Sequence, residues 1–525
     1  MKNKYIIIST LIAIVSFASC SDVWDAHYGK ATGLKSDSNL YDYIKSQPDL
    51  SKFSQMLDIA GFDTILNQPQ TYTVWAPVNS TLETVDLTDT LSVTDIVKNH
   101  VSRFAYTTSE IEEKTIFMLN KKFMVFKEAD GQYMFGGRTL LTANTATSNG
   151  ILHTINGYIP YLSNIWEFIG SADGLDSLRA YLYSQSVLKF DEEASVEIGT
   201  NDKNQAVYDS VIVFSNPILD KIGHIHIEDS LFTAILPNNA AWVKVYNKIK
   251  ANYKNFVNDG GVKQRLNTQA AIVENLIFRM KNANIDPATM DSLTSTSGKT
   301  FRPSSYLFNG SQRYALSNGL AYVTDSLRFK PTDSWQKTIR VEAENQNYGR
   351  TFLYSTLAVR SGLGSTFNVS DNKYLIVEPT TVSKTTLASV TFPIPNTLSG
   401  KYRIYCMFLP SSIVNPDDSR QNKVKFSLSY VNSAGTAVKD AAITSKNQVA
   451  TVAGAIPAVF VTDSLVATKM FVTEFAFPYC NLYTSKSVAS DINVKLKVES
   501  ATTVSEKTLY DRDMRIDYII LEPVE

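Results

Sequence analysis

The pattern of apolar positions changes along the 525-residue chain. In the middle, segments with an apolar residue every three or four positions alternate with segments where every second position is apolar. These spacings are typical of helices and strands, respectively. From about residue 338 the helical spacing ends, and short alternating segments lie between clusters of Ser, Thr, Asn and Gly. The pattern predicts a multidomain protein with two α+β domains followed by an all-β sandwich of the jelly-roll kind.

The middle of the chain contains an internal repeat. Three positions recur in register, namely Thr73, Pro77 and Asn79 in the first copy and Thr233, Pro237 and Asn239 in the second. An Asn-Gly turn that leads into a strand follows in each copy, at Asn149-Gly150 and at Asn318-Gly319. Each copy also begins with helical spacing, so its order is helix, strand, helix, strand. We predict one domain over 40–170, a second over 171–337 and the sandwich over 338–525.

The first repeat resembles the fasciclin-like family. It carries Thr73-Val74-Trp75-Ala76-Pro77-Val78-Asn79, the step His100-Val101, and Asn149-Gly150-Ile151-Leu152-His153-Thr154-Ile155-Asn156. The second repeat is a diverged copy, because Asn275-Leu276 and Tyr322 replace the two histidine positions. The resemblance implies an α+β fold used in adhesion and extracellular interaction rather than in catalysis. We expect His100 and His153 to be hydrogen-bonded core residues and transfer no receptor role to Asn99-His100.

The N-terminus has the layout of a signal peptide. Two lysines precede an apolar run, Tyr5 to Phe17, which ends in Ala18-Ser19-Cys20. The run is too short for a bilayer core that needs about 20 residues. Cys20 after Ala-Ser resembles the lipobox of bacterial lipoproteins, which implies removal of residues 1–19, lipidation of Cys20 and a tether over 20–39. An ordinary secretory signal is the alternative. The resemblance implies a lipid anchor in the outer membrane, and we expect the protein to face the cell exterior.

Composition narrows the possible partners and chemistry. The formal net charge of −1 gives no general attraction to nucleic acid. No nucleophile elbow, P-loop, zinc-protease motif or EF-hand loop is present, so we expect no enzymatic activity and no required cofactor. With three cysteines in the chain, a disulfide-rich scaffold is excluded. Cys406 and Cys480 either pair as a disulfide or remain two separate thiols.

The C-terminal region resembles carbohydrate-binding modules of the galactose-binding-like type. Three segments carry this resemblance, namely Glu342-Ala343-Glu344, Gly400 to Tyr405 and Arg515 to Leu521. It implies a structural calcium ion at Glu342, Glu344 and Asp517; an exposed charged strand face is the alternative. Sugar binding requires flat aromatic faces and amide partners on loops. Candidate ligand-binding residues are therefore Tyr348, Tyr479, Asn481 and Tyr483, although ordinary loop packing would also explain them.

These features lead to two main hypotheses. In the first, the protein is a surface lipoprotein that binds glycan or a partner protein, as a non-catalytic accessory of polysaccharide capture beside an outer-membrane transporter. In the second, it is a cell-surface adhesion or assembly protein whose β-sandwich is purely structural. A third hypothesis is a glycan-active enzyme with an unrecognised site.

Overall fold

A computed structural model describes residues 36–524 except Pro69, Glu110, 201–205, 282–284, 381–386, Ala453 and 485–486. The signal peptide over 1–19, Cys20 and the tether as far as residue 35 lie outside the described residues. The chain forms two compact units. The first comprises the described residues up to Phe168 with Ile225–Leu231 and Ala315–Gly319, and the second comprises Ile169–His224, Phe232–Tyr314 and the rest of the chain. In the described part, no helix is long and apolar enough to cross a membrane.

The first repeat packs helices against a mixed sheet. Its helices are α1 (Leu40–Ser46), α2 (Ser51–Ile59), α3 (Phe62–Leu66) and α4 (Thr90–Asn99). Its strands are β1 (Tyr72–Pro77), β2 (Val101–Arg103), β3 (Glu113–Phe117), β4 (Phe123–Ala129), β5 (Gln132–Phe135), β6 (Arg138–Thr147) and β7 (Gly150–Ile155). The sheet order is β2-β1-β7-β6-β5-β4-β3, with β1 and β7 parallel. The two sequence motifs therefore form a parallel pair with a strand on either side, which explains why both are strongly apolar.

Two apolar clusters hold this repeat together. The helices and one side of β1 enclose the first, in which Ile44, Phe53 and Val74 are fully buried. The second lies against the other side of β1, where Trp75 stacks on Phe135 with ring centroids 3.9 Å apart. Every residue of β1 is buried, because the strand has apolar neighbours on both faces.

The second repeat begins with helices, as the first repeat does. Its helices are α5 (Ile165–Ser171), α6 (Asp176–Tyr183), α7 (Leu219–Ile222), α8 (Asn239–Ile249) and α9 (Val262–Val273). Its strands are β8 (Val187–Thr200), β9 (Ala206–Ser215), β10 (Leu231–Pro237), β11 (Ile277–Met280), β12 (Leu293–Thr294), β13 (Thr300–Phe301), β14 (Gln312–Leu316) and β15 (Gly319–Thr324). Strands β11-β10-β15-β14 form one sheet, and β8 and β9 form a separate hairpin.

Asparagine side chains fix the same junction in both repeats. Asn149 Oδ1 accepts a hydrogen bond from the first helical N–H of α1, at Leu40, over 2.8 Å. Asn318 Oδ1 accepts the equivalent bond from Ile165, at the start of α5, over 2.9 Å. Since the first N–H groups of a helix lack partners within it, both bonds satisfy otherwise orphaned donors. By this equivalence, Ile165 of the second repeat corresponds to Leu40 of the first.

The C-terminal region forms two sheets, as predicted for an all-β region, and its strand pairs are antiparallel except for Gln421–Asn422 with Tyr510–Asp511. Its strands are β16 (Ile339–Glu342), β17 (Thr351–Leu353), β18 (Ser355–Ser361), β19 (Lys373–Pro379), β20 (Ser389–Pro393), β21 (Gly400–Phe408), β22 (Gln421–Val431), β23 (Ala437–Ser445), β24 (Gln448–Val449), β25 (Phe460–Val461), β26 (Thr468–Phe477), β27 (Lys495–Ser500), β28 (Tyr510–Asp511) and β29 (Met514–Pro523). One sheet has the order β18-β19-β29-β21-β26, with β16 on β29. The other has the order β17-β20-β27-β22-β23-β24.

A buried ion cluster joins distant segments of the first compact unit. Lys122 Nζ lies 2.8 Å from Glu167 Oε2 and 2.6 Å from Glu228 Oε1, and the Lys122 side chain is 3% exposed. Ser317 Oγ accepts a further bond from Lys122 at 3.2 Å. Because a buried ammonium ion needs several partners to offset its lost hydration, these segments stabilise one another.

We predict that Lys122→Met destabilises the first compact unit by about 3–5 kcal/mol, because it removes the cation between two carboxylates, of which Glu228 is buried and Glu167 is partly exposed. Urea unfolding would measure the change. The control is Lys121→Met at the adjacent, exposed lysine, which should change stability by less than about 0.5 kcal/mol. Equal effects of the two variants would contradict this role for the cluster.

Candidate ligand-binding site

The second compact unit contains a cavity of about 900 Å³. Helix α9 and the segment after it line one part, and loops of the C-terminal all-β region line another. Five aromatic side chains contribute to the wall: Tyr181, Tyr253, Trp335, Tyr348 and Tyr483. Binding sites for small organic ligands have volumes of about 300–1,000 Å³ and are lined mainly by apolar and aromatic groups. The cavity has the size and lining of such a site.

Hydrogen bonds and ring contacts hold the aromatic wall in place. Trp335 Nε1 donates to Asn252 Oδ1 over 3.0 Å. The rings of Tyr348 and Tyr483 meet edge to face, with centroids 5.2 Å apart and planes at 82°. The backbone N–H of Tyr483 donates to Asn396 Oδ1 over 2.9 Å, which fixes the loop that carries this ring. A wall held in this way loses little entropy when a ligand binds.

Charged and amide groups lie between the aromatic rings. Lys337 Nζ pairs with Glu274 Oε1 over 2.7 Å at the cavity wall. Arg340, another lining residue, has its guanidinium group 3.7 Å from the Tyr518 ring centroid and its Nε 2.5 Å from Glu342 Oε1. Asn267 and Asn396 add amide groups. The cavity therefore offers hydrogen-bond donors and acceptors beside flat apolar faces.

The structure brings together two of the four ligand-binding residues predicted from sequence. Tyr348 and Tyr483 share the cavity wall. Tyr479 instead donates from its hydroxyl to the Ser433 carbonyl over 3.0 Å, and its ring packs on Phe256. Asn481 does not line the cavity.

Asn481 and Tyr479 hold loops rather than the cavity wall. Asn481 Oδ1 accepts from the backbone N–H groups of Asn493 and Val494, at 2.8 and 3.2 Å. Its Nδ2 donates to the Asp491 carbonyl. Both residues therefore correspond to the loop-packing alternative.

Sequence reasoning missed three of the aromatic lining residues. Tyr181 belongs to α6, Tyr253 follows α8, and Trp335 lies before the first strand of the sandwich. Their positions along the chain are far apart, and the segments around them have no sugar-binding motif.

The three carboxylates predicted to bind calcium lie near the N-terminal strand of the sandwich. Glu342 pairs with Tyr518 across the β16–β29 ladder, and the backbone N–H of Ala343 donates to the Asp517 carbonyl. One carboxylate oxygen each of Glu342 and Glu344 is buried without a hydrogen-bond partner. Burial, together with the charges of Glu342 and Glu344, raises the pKa of Asp517 to about 6.

These observations test whether the donor set suits a cation. Two orphaned carboxylate oxygens and a carboxyl with a raised pKa are the hard donors that Ca²⁺ prefers. Among the described residues, however, no three His, Cys, Asp or Glu side chains converge on one point as a metal site. The three carboxyl groups supply the buried oxygen donors that calcium prefers. Their side chains would have to turn toward a common point to bind the ion.

Cys406 and Cys480 are both free and buried. In the β21–β26 ladder, Cys406 pairs with Met470 whereas Gly400 pairs with Phe477, so Cys480 lies beyond the opposite end of the ladder. The stretch from Gly400 to Cys406 spans about 20 Å of strand, whereas a disulfide requires Cα atoms within about 7 Å. The disulfide alternative is therefore wrong for this structure.

Comparison with known proteins identifies the first repeat. Residues 48–160 match the family model of the fasciclin domain, which confirms the predicted resemblance for this part of the chain. The first repeat therefore contains a fasciclin domain. No curated protein matches the chain.

Several solved structures are similar to parts of the chain. A domain pair from the insect cell adhesion molecule Fasciclin I is 14% identical, covering 54% of this chain and 98% of that one, with a TM-score of 0.21. A family 35 carbohydrate-binding module from Clostridium thermocellum is 9% identical, covering 36% and 99%, with a TM-score of 0.17. A xylan-binding domain of family 22 is 12% identical, covering 35% and 92%, with a TM-score of 0.18. At these scores no conclusion about function follows from them.

The two family histidines of the fasciclin domain are fully buried. His100 Nδ1 donates to the Ile96 carbonyl over 2.7 Å, and its Nε2 accepts from the Ile159 N–H over 3.0 Å. His153 has the same two kinds of partner with the ring nitrogens exchanged: its Nε2 donates to the Tyr106 carbonyl, and its Nδ1 accepts from the Asn144 N–H. Since each ring faces one N–H donor, a second proton would have no acceptor. Burial lowers the pKa of both rings from 6.5 to about 4.

We predict that the first repeat loses stability as the pH falls from 6.5 to 4. In the unfolded chain the histidines take up protons below pH 6.5, whereas in the fold they stay neutral until about pH 4. The contribution of the neutral histidines to the free energy of unfolding is therefore fully present above pH 6.5. At pH 4 each histidine lowers the free energy of unfolding by about 3 kcal/mol. Denaturant unfolding at a series of pH values would measure this slope.

The matched variant is His153→Gln, whose amide retains a donor and an acceptor but does not titrate. As the pH is lowered from 6.5 to 4, the unfolding free energy of this variant should decrease less than that of the original chain. Parallel slopes for the two proteins would contradict the assignment to His153.

Proposed function

We propose that the protein is a non-catalytic glycan-binding protein, which holds a carbohydrate chain in the aromatic cavity of its second compact unit. One observation carries the proposal, namely the cavity of about 900 Å³ lined by Tyr181, Tyr253, Trp335, Tyr348 and Tyr483. Sugar rings present flat C–H faces that pack on aromatic rings, and hydroxyl groups that bond to amides and charged side chains. The cavity supplies both kinds of partner.

The cavity favours binding over catalysis. Its lining carboxylate, Glu274, is paired with Lys337. Glycoside hydrolysis requires two carboxyl groups on either side of the scissile bond, one of them with a raised pKa. Glu274 is the single Asp or Glu among the described lining residues. We therefore expect the bound glycan to be released unchanged.

The proposal includes an accessory role at the cell surface. Lipidation at Cys20 would anchor the protein in the outer membrane with the cavity outside the cell, beside a transporter that imports the captured polysaccharide. The signal-peptide layout of residues 1–20 supports the anchor, and Cys20 lies outside the described residues. A near-zero net charge suits a ligand that is recognised by aromatic faces rather than by long-range attraction.

A structural calcium ion is a second part of the proposal. Glu342, Glu344 and Asp517 would hold it, and the ion would neutralise carboxylates whose burial is otherwise unfavourable. Glu342 also pairs with Arg340 of the cavity wall, so the same strand carries one ligand of the ion and one lining residue of the cavity.

Adhesion to a partner protein is the second candidate function, and one observation favours it. On the outer face of the fasciclin sheet, apolar side chains of β3, β4 and β6 are exposed, namely Phe117, Phe123, Val125 and Leu141. Exposed apolar patches of this kind mark interaction surfaces. The two functions use different surfaces, so variants of one surface should leave the other function unchanged.

We predict that the full chain binds at least one polysaccharide in affinity electrophoresis, and that Tyr348→Ala or Tyr483→Ala weakens binding by roughly 10- to 100-fold. Loss of a buried aromatic contact costs about 1.5–3 kcal/mol. The control is Tyr479→Ala, which removes the same side chain outside the cavity wall. Absence of retardation by a broad panel of glycans, or equal loss in all three variants, would contradict the proposal.

We predict that 5 mM CaCl₂ raises the thermal midpoint of the sandwich by roughly 5 °C or more, and that a chelator reverses the shift, because the ion binds the folded state alone. Glu344→Gln should reduce the shift. The control is Glu522→Gln, which alters an ion-paired carboxylate on β29 that is not one of the three proposed calcium ligands. This variant should respond to calcium like the original chain. A midpoint that is independent of calcium would exclude this site.

A further inference from the structure

A second cavity, of about 510 Å³, adjoins the aromatic cavity within the second compact unit. Tyr181 of helix α6 lines both cavities. Helix α9 also lines both of them. Its residues Asn267 and Ala271 contribute to the first cavity, and Leu266 and Gln269 contribute to the second. The two cavities are therefore neighbours that share two structural elements.

The second cavity combines aromatic rings with hydrogen-bonding groups, as the first one does. Trp242 and Tyr181 both line it, and their ring centroids lie 6.0 Å apart. Gln185, Arg265 and Gln269 add amide and guanidinium groups. Its volume falls within the range of about 300–1,000 Å³ that is usual for sites that bind small organic ligands. The second cavity therefore has the size and the chemistry of a binding site.

Helix α9 presents polar side chains to both cavities. Within the described part of the chain, Asn267 in the first cavity and Arg265 and Gln269 in the second have neither a side-chain hydrogen bond nor an ion pair. Gln264 of the same helix lines neither cavity, and its Nε2 donates to the Lys250 carbonyl over 2.7 Å. An amide group can donate and accept at once, and a guanidinium group donates. These three side chains are therefore available to the hydroxyl groups of a ligand.

We propose that the second cavity is a further glycan subsite, which takes additional sugar units of the same carbohydrate chain that the first cavity holds. This inference rests on the glycan-binding function proposed above. Both cavities are open to solvent, so a glycan can continue from one to the other across the edge of Tyr181 without passing through a tunnel.

The similar lining of the two cavities favours one continuous ligand over two unrelated ones. A polysaccharide repeats the same hydroxyl groups and C–H faces along its length, and each cavity offers aromatic rings beside amide groups. Once the first cavity holds part of the glycan, the next units reach the second cavity without a second loss of translational freedom. Longer oligosaccharides should therefore bind more tightly than short ones.

Calorimetry with two oligosaccharides tests the proposal on the full chain. The probes are the disaccharide and the hexasaccharide obtained by partial hydrolysis of the polysaccharide that is retarded most strongly in the electrophoresis panel. We expect the hexasaccharide to bind at least about tenfold more tightly than the disaccharide. Leu266→Ala combined with Gln269→Ala should weaken hexasaccharide binding about tenfold and leave disaccharide binding within about twofold.

The matched control is Lys263→Ala, at an exposed position of α9 that lines neither cavity. It should bind both probes like the original chain. Alanine is a strong helix former, so all three substitutions are compatible with α9, and an unchanged thermal midpoint would verify the fold.

The outcomes separate this subsite from the function on which it depends. A hexasaccharide that binds no more tightly than the disaccharide overturns the subsite, and so does one whose binding the paired variant leaves intact. In both cases glycan binding by the first cavity stands. If neither the polysaccharides nor the oligosaccharides bind, the proposed function fails and the subsite fails with it.

Discussion

Each repeat depends on a single asparagine side chain that closes it. Asn149 accepts from the first N–H of helix α1 and donates to the Leu66 carbonyl at the end of α3, so two helices are positioned by the turn that begins β7. Gly150 follows because a Cβ there would overlap the Tyr72 carbonyl oxygen and the Leu40 side chain. Asn318 repeats the arrangement with Ile165 and with the carbonyls of Ile225 and Ile227. The Asn-Gly signature is therefore a packing and capping requirement as well as a turn.

The sequence was informative wherever a feature depends on neighbours along the chain. The repeat, the central strands and the all-β C-terminal region follow from periodicity and from Asn-Gly turns. The contact between Asn318 and the first N–H of α5, at Ile165, was not predicted, because the two residues are far apart in sequence. Tyr348 and Tyr483 were identified by composition. Tyr181, Tyr253 and Trp335 were not, because only tertiary packing brings them to one wall.

Burial decides the chemistry of several ionisable groups in this protein. His100 and His153 are neutral because each ring already faces a fixed N–H donor. Asp517 and Glu344 are shifted in the opposite sense, since burial raises the pKa of a carboxyl group. Lys122 is buried with two carboxylates in contact with its Nζ. The net charge of −1 is a sum over all charged residues, so it does not show which of them are buried.

The ion cluster at Lys122 also constrains the order in which the chain assembles. Glu228 and Ser317 follow Lys122 by 106 and 195 positions, although all three belong to the first compact unit. During synthesis the first repeat emerges complete in sequence while its buried ammonium ion still lacks these partners. The cluster closes only after most of the second repeat has been synthesised. The first compact unit therefore gains its full set of ion-cluster contacts only when the short segments Ile225–Leu231 and Ala315–Gly319 have joined it.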